Sequence, residues 1–149
     1  SDTIKSEVSK QITWDIKQMA VLPLTNAFVS SGFKSVDQIR KNRPHRGIDL
    51  VAPLGSPIVA TLPGRVLIAD DNSLHSNYGK VVVIQHSNDI RTLYAHMDSF
   101  AVVKNQKVNA GDIIGTVGKT GKTTGAHLHL ELLQNGKHLN PVALLPVYQ

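Results

Sequence analysis

The chain has 149 residues, of which 41% are hydrophobic and 18% charged, a composition typical of one folded globular domain with a sizeable core. It contains no cysteine, which excludes disulfides, zinc–thiolate sites and cysteine nucleophiles. The net charge of +5 favours an anionic partner such as a cell-wall polymer, a membrane surface or nucleic acid. The basic residues are scattered and aromatic residues are few, so no nucleic-acid partner is expected. No apolar run approaches the roughly 18 residues that span a bilayer, so no stable membrane insertion of this segment is expected.

Residues 1–20 are predicted to form an N-terminal helix or linker ahead of a domain that covers residues 21–149. Apolar residues recur there at near-helical spacing, which favours a helix over roughly residues 3–19. The alternation of Ile12, Trp14 and Ile16 also fits a strand, so both interpretations stay open. A regulatory or inhibitory segment upstream of Ser1 is a further possible partner.

After Pro23 the pattern changes to short runs rich in Val, Ile and Leu, separated by Pro-Gly, Tyr-Gly, Gly-Asp and Asn-Gly. Such runs predict a mainly β domain, an antiparallel sheet or sandwich with long loops. Residues 134–137, read Gln-Asn-Gly-Lys, predict a hairpin turn because Asn-Gly accepts the positive φ angles that a tight turn requires. No long helical pattern and no internal repeat follows residue 24.

The segment "AHLHLE" places two histidines on either side of one leucine. In a strand, His127 and His129 share one face while Leu128 and Leu130 pack on the other. Two adjacent imidazoles repel each other if both are protonated, whereas a metal ion binds the neutral ring directly. The alternative is a surface strand that carries two histidines.

The segment "PHRGIDLVAP" places His45 and Asp49 four residues apart, with Gly47 between them to let the chain turn. Two histidines and a carboxylate are a common zinc set that leaves a fourth position for water. Together with the His-x-His segment, this pair predicts a metal site and makes a merely polar loop a poorer interpretation.

Other residues are candidates for weaker reasons. His96 ends the strand-like run "TLYAHM", where it either is a satisfied strand-end residue or, beside a metal, stabilises an oxyanion or moves a proton. Glu131 has the parity of His129, so it either orients a ligand imidazole or is a solvated carboxylate. Tyr94 is expected in the core. The three remaining histidines are predicted to lie on the surface: His75, His86 and His138.

In series, the motifs "HRGIDLVAPLGSPIVATLPGRV", "YGKVVVIQH", "TLYAHM" and "VKNQKVNAGDIIGTVGKTGKTTGAHLHLELLQNGKHLNP" resemble the lysostaphin/LytM-type zinc metallopeptidases, the M23 peptidase family. The resemblance runs from about residue 31 to 145, and "LPLTNAFVSSGF" is similar to the family's entry strand. Lys34 stands where glycine is usual. The resemblance implies a LytM-like fold of the duplicated-hybrid-motif type, with long loops around a metal cleft.

The resemblance also implies a division of roles. His45, Asp49 and His129 would hold one Zn²⁺ per chain, and His96 and His127 would be the catalytic pair. The expected activity is a zinc endopeptidase in which a zinc-bound water attacks peptide bonds in peptidoglycan cross-links or stem peptides. The expected location is the periplasm, or more broadly the cell envelope or exterior. The alternative is a non-catalytic LytM-type module that binds and activates a cell-wall amidase.

Overall fold

The computed structural model describes residues 12–34 and 44–149. One short helix, α1, precedes ten strands and several single 3₁₀ turns in these residues. The helix spans Trp14–Met19, and the strands are β1 Phe28–Ser31, β2 Ile48–Val51, β3 Pro57–Val59, β4 Gly64–Asp70, β5 Lys80–Gln85, β6 Ile90–Phe100, β7 Lys107–Val108, β8 Ile113–Val117, β9 His127–Gln134 and β10 Lys137–Leu139.

Helix α1 begins after Thr13, whose side-chain oxygen accepts a hydrogen bond from the Ile16 backbone N–H. Ile16 is buried in the main core, whereas Trp14 is 71% exposed. The short N-terminal helix is therefore confirmed over these six residues, and the strand alternative for them is wrong. Residues 3–11 of the predicted helix lie outside the described residues. The division of the chain at residue 20 stays a prediction.

The strands form one continuous antiparallel sheet in the order β1-β2-β9-β6-β5-β4-β7. Strand β10 pairs with β9, and β8 joins β3 to the end of β6. The predicted mainly β, antiparallel fold is confirmed. The described residues include no helix that is long and apolar enough to cross a membrane.

Strand β9 lies between β2 and β6, and its two faces differ in chemistry. Leu128, Leu130 and Leu132 are at most 2% exposed and pack into the main core. The other face carries His127, His129 and Glu131, as the period-2 alternation predicts. The antiparallel register pairs Asp49 of β2 with His129, which brings residues 80 positions apart in sequence to one point.

Strand β6 changes its partner at His96. Its first part pairs with β9 up to Ala95, and its last part, from Met97, pairs with β8. His96 has φ +61°, in the left-handed region, and the β5–β6 register is irregular at the same point. This local irregularity breaks the alternation of side chains, so His96 leaves the core face on which Tyr94 is fully buried.

Candidate metal centre and active site

The six predicted site residues line one cleft with a volume of about 580 Å³. They come from the segment before β2, from β2 itself, from the bend in β6 and from one face of β9: His45, Asp49, His96, His127, His129 and Glu131. The fold therefore brings all of them together, although their metal-binding and catalytic roles stay predictions.

Three side chains converge as a candidate metal site. Among His45, Asp49 and His129, one potential ligand atom from each lies within 4.8 Å of the others. Asp49 Oδ1 is 3.2 Å from His45 Nε2 and 2.9 Å from His129 Nδ1, and these two nitrogens are 3.1 Å apart. Two imidazole nitrogens and one carboxylate oxygen are a donor set that suits zinc.

The other nitrogen of each of these two rings has an acceptor. His45 Nδ1 lies 3.0 Å from the Gly32 carbonyl oxygen, and His129 Nε2 lies 2.8 Å from Glu131 Oε2. Because a carbonyl or carboxylate only accepts, both of these nitrogens donate to their partners. His129 Nδ1 also faces the Asp49 carboxylate, so it donates as well while the ring is an imidazolium. With a cation at the convergence point, His129 Nδ1 would give up this proton, and it and His45 Nε2 would each direct a lone pair at the cation, as metal ligation requires.

The electrostatics of this cluster also suit a cation. Burial lowers the pKa of His129, but hydrogen bonds and charges from Asp49 and Glu131 outweigh burial and raise that pKa to about 9. Burial likewise opposes ionisation of Asp49 and Glu131, yet their histidine partners hold both carboxyl pKa values below the ordinary range. The imidazolium charge thus balances the buried Glu131 and the partly buried Asp49, a role that a metal ion can take over.

Glu131 is only 1% exposed and is held by three partners. Its Oε2 accepts from His129 Nε2 and, at 2.6 Å, from the Tyr78 hydroxyl, while Oε1 lies 2.7 Å from His138 Nε2. The contact with His138 depends on the β9–β10 hairpin, which pairs His138 with Leu133 on the same face as Glu131. The solvated-carboxylate interpretation of Glu131 is wrong, and its buried contact with His129 supports the orienting role.

Glu131→Gln is expected to weaken zinc binding by roughly 10- to 100-fold, because the amide no longer holds the His129 tautomer with a charged acceptor. His138→Ala should cause a smaller loss, since Tyr78 still anchors Glu131. Competition against a chromogenic chelator measures the zinc affinity, and circular dichroism checks that each variant is folded. Lys137→Ala, an exposed change in the same hairpin, is the matched control. Wild-type zinc affinity in Glu131→Gln would refute the orienting role.

His96 and His127 lie beside the candidate metal site but outside the three-residue group. Their ring centroids are 4.8 Å apart. His96 Nδ1 is 2.7 Å from the Thr120 carbonyl, and His127 Nδ1 is 2.9 Å from the Gly125 carbonyl, so both rings direct Nε2 into the cleft. Burial lowers the pKa of His96 to about 4, which keeps this ring neutral and able to accept a proton at neutral pH.

Two of the three histidines predicted to lie on the surface do not. His138 is partly buried against Glu131, and His86 is 6% exposed. His86 Nδ1 donates to the Pro63 carbonyl at 2.8 Å, and its Nε2 lies 2.7 Å from the Thr92 hydroxyl. These two hydrogen bonds replace the contacts with water that the ring loses on burial. His75 is exposed, as predicted, and lies at the rim of the cleft.

Acidification is expected to destabilise the fold partly through His86. Burial holds the pKa of His86 below its ordinary 6.5 in the folded chain, so the unfolded chain binds the proton first as pH falls. The free energy of unfolding should therefore decrease below pH 6.5, by no more than about 1.4 kcal/mol per pH unit from this group. Urea unfolding of the metal-free protein between pH 7.5 and 5.5 measures the slope. His86→Gln should flatten it and His75→Gln should not; equal slopes for both variants would contradict the prediction.

One contact in the cleft, made by Tyr78, and one beside it, made by Lys34, were not predicted from the sequence. Tyr78, from the turn before β5, reaches Glu131, and only its Tyr-Gly turn signal was noted. Lys34 has φ +59° and donates its backbone N–H to the His45 carbonyl at 2.7 Å. Its left-handed backbone explains why glycine is usual at this position.

A family model described as peptidase family M23 matches residues 43–141. The chain belongs to this family. Peptidoglycan DD-endopeptidase ShyC of Vibrio cholerae is 46% identical over 99 residues, which are 66% of this chain and 22% of ShyC. Murein hydrolase activator NlpD of Escherichia coli is 41% identical over 102 residues, which are 68% of this chain and 26% of NlpD. This M23 chain thus spans about a quarter of the length of these curated relatives.

A solved structure of a zinc containing peptidase from Vibrio cholerae superposes with a TM-score of 0.72 at 32% identity, covering 83% of this chain and 38% of that one. The resemblance to M23 peptidases and the fold inferred from it are confirmed. By their names, the relatives of this chain include both a peptidoglycan endopeptidase and an activator of murein hydrolases.

Proposed function

We propose that the chain is a zinc-dependent endopeptidase domain that hydrolyses peptide bonds in the cross-links or stem peptides of bacterial peptidoglycan. The observation that carries this proposal is the pair of histidines beside a set of candidate zinc ligands: His96 and His127 adjoin the three-residue group without belonging to it. Similarity to a zinc containing peptidase and to a peptidoglycan DD-endopeptidase supports both the metal and the substrate class.

In this proposal His45, Asp49 and His129 hold the zinc ion, which supplies Lewis acidity to the cleft when bound. Glu131 keeps His129 in the tautomer that presents Nδ1. His96 and His127 each anchor Nδ1 on a backbone carbonyl and offer Nε2 to the substrate. A neutral Nε2 accepts a proton from the attacking water, and a protonated Nε2 donates to the oxyanion or to the leaving amine.

We further propose that this activity operates in the periplasm or elsewhere in the cell envelope. The names of the curated relatives, which refer to peptidoglycan and murein, support that location, and the net charge of +5 suits an anionic wall. A segment outside residues 1–149 that regulates access to the cleft is compatible with the much greater length of these relatives.

The second candidate is a regulatory module that activates a cell-wall amidase, and the 41% identity to NlpD favours it. The two functions are separated by incubating the intact chain with purified cross-linked muropeptides, with and without a cell-wall amidase. The proposed peptidase binds one zinc per chain and releases cleaved peptides without the amidase, and the product masses identify the bond. Stoichiometric zinc without cleavage, together with stimulation of the amidase, would establish the regulatory function instead.

A further inference from the structure

The loop between β8 and β9 holds the His96 ring through one residue. His96 Nδ1 donates to the Thr120 backbone carbonyl at 2.7 Å, and Thr120 lies in this loop, outside the strand that carries His96. Because a carbonyl oxygen only accepts, this contact keeps the proton of the neutral ring on Nδ1. The orientation of the His96 ring therefore depends on where the Thr120 carbonyl lies.

The Thr120 hydroxyl ties that backbone to two strands. It donates to the Met97 carbonyl of β6 at 2.7 Å and accepts from the Lys80 backbone N–H of β5 at 3.0 Å. Lys80 and Met97 are register partners, and the β5–β6 register shifts directly beyond them, at the left-handed His96. One side chain thus bridges both strands beside the irregularity, while the carbonyl of the same residue binds the His96 ring.

Two glycines let the loop approach this closely. A Cβ on Gly79, which has φ +62°, would lie 2.5 Å from the Thr120 hydroxyl oxygen. A Cβ on Gly121 would collide with the Gly79 backbone nitrogen. Glycine at both positions allows backbone and hydroxyl to meet without a side chain between them. This close packing and the two hydrogen bonds of the hydroxyl together restrict the position of the Thr120 carbonyl.

We propose that Thr120 is a positioning residue for catalysis: its hydroxyl fixes the loop so that its carbonyl keeps His96 Nδ1 protonated and directs Nε2 into the cleft. The inference rests on the proposed function, in which His96 Nε2 accepts or donates a proton. Thr120 is not among the described residues that line the cleft or that form the candidate metal site. It therefore acts through His96.

Removal of the hydroxyl tests this role by kinetics. Thr120→Val keeps the shape of the side chain and should lower kcat for a soluble muropeptide roughly ten- to hundredfold, with KM and zinc content within about twofold of wild type. Thr120→Ser keeps the hydroxyl and should retain most of the activity. Loss of zinc together with kcat in Thr120→Val, or no rescue by serine, would count against the positioning role.

The matched control is Thr116→Val, the same chemical change in the strand that leads into this loop. The Thr116 hydroxyl also contacts β6, 2.6 Å from the Ser99 hydroxyl, but at an exposed position beyond the irregularity. This variant should keep the wild-type kcat. A loss of kcat equal to that of Thr120→Val would show that any hydroxyl contact to β6 matters and would overturn the proposal.

A double variant tests whether Thr120 acts through His96. Once His96→Ala has removed the ring, adding Thr120→Val should lower kcat no further, because residues that act as one unit are not additive. A full further loss of ten- to hundredfold would indicate a separate effect of Thr120 and would also overturn the proposal.

Ring ¹⁵N spectra at neutral pH test the same contact without any cleavage. The wild-type His96 signals, identified by their absence from His96→Ala, should show a proton on Nδ1 and none on Nε2, whereas Thr120→Val should show a mixture of both tautomers. No cleavage by the wild-type chain would refute the proposed peptidase and leave this measurement valid. An unchanged tautomer in Thr120→Val would overturn the positioning role and leave the peptidase intact. Thermal melts check each variant, and loss of the fold in both Thr120→Val and Thr120→Ala would indicate a purely structural residue and overturn the proposal.

Discussion

His129→Ala is expected to abolish stoichiometric zinc binding and, with it, cleavage of peptidoglycan peptides. The His129 ring lies at the centre of the candidate site, 2.9 Å from Asp49 and 3.1 Å from His45 through the same nitrogen. Losing one of three protein ligands should weaken zinc binding by about a thousandfold. This loss is only part of the total, because structural zinc sites bind the ion with a free energy of roughly 10–16 kcal/mol. Zinc retained after dialysis is measured by mass spectrometry, and affinity by chelator competition.

The matched control is His75→Ala, which removes another imidazole that lines the cleft but lies outside the three-residue group. It should keep one zinc per chain. A thermal melt of each metal-free variant separates loss of a ligand from loss of the fold, since His129→Ala also leaves Asp49 and Glu131 without their shared partner. Full zinc content in a folded His129→Ala protein would show that the assignment of the ligands is wrong.

His96→Ala is expected to keep the zinc and to lower kcat by roughly 10²- to 10⁴-fold, the range that one general acid or base contributes. His96 has its Nδ1 on the Thr120 carbonyl and its ring 4.8 Å from that of His127, so the change removes the proposed proton-transfer group and leaves all three predicted ligands in place. Single-turnover cleavage of a soluble muropeptide measures the effect, with zinc content determined on the same sample.

A companion variant separates the effect of losing the imidazole from the effect of the strained backbone at residue 96. Alanine keeps the Cβ that makes φ +61° unfavourable, whereas His96→Gly relieves that strain by about 1 kcal/mol. Both variants should lose activity equally, while the glycine variant should be the more stable of the two. If His96→Ala and His129→Ala lose zinc to the same extent, the proposed division between ligand and catalytic histidines fails.

The sequence was enough to predict that His127 and His129 lie on one face of their strand, because the alternation of side chains is a local property of a strand. The turn at Asn135 and Gly136 could be predicted for the same reason, and both residues have positive φ. The pairing of Asp49 with His129 is not local. It depends on which strands become neighbours: the donor types suggested a shared metal site, and the resemblance to a known family implied which residues are its ligands.

Other contacts escaped prediction because they depend on irregular backbone or on register. Tyr94 was expected in the core and His96 in the site, but their shared parity gave no reason for opposite faces; the left-handed residue in β6 supplies it. His138 reaches Glu131 only because the hairpin register sets it opposite Leu133. The buried His86 forms hydrogen bonds with Pro63 and Thr92, and the sequence around His86 does not indicate either contact.

The central position of β9 has a consequence for exchange of the proposed metal. Strand β2 pairs with residues 127–130 of β9 and β6 pairs with residues 129–134, so the backbone at His129 is paired on both sides and opens only when much of the sheet opens. Its amide protons should be among the slowest in the chain to exchange with solvent. If the chain holds zinc as proposed, the ion would leave and return through the cleft while the sheet stays intact, and metal-depleted protein should regain zinc without refolding.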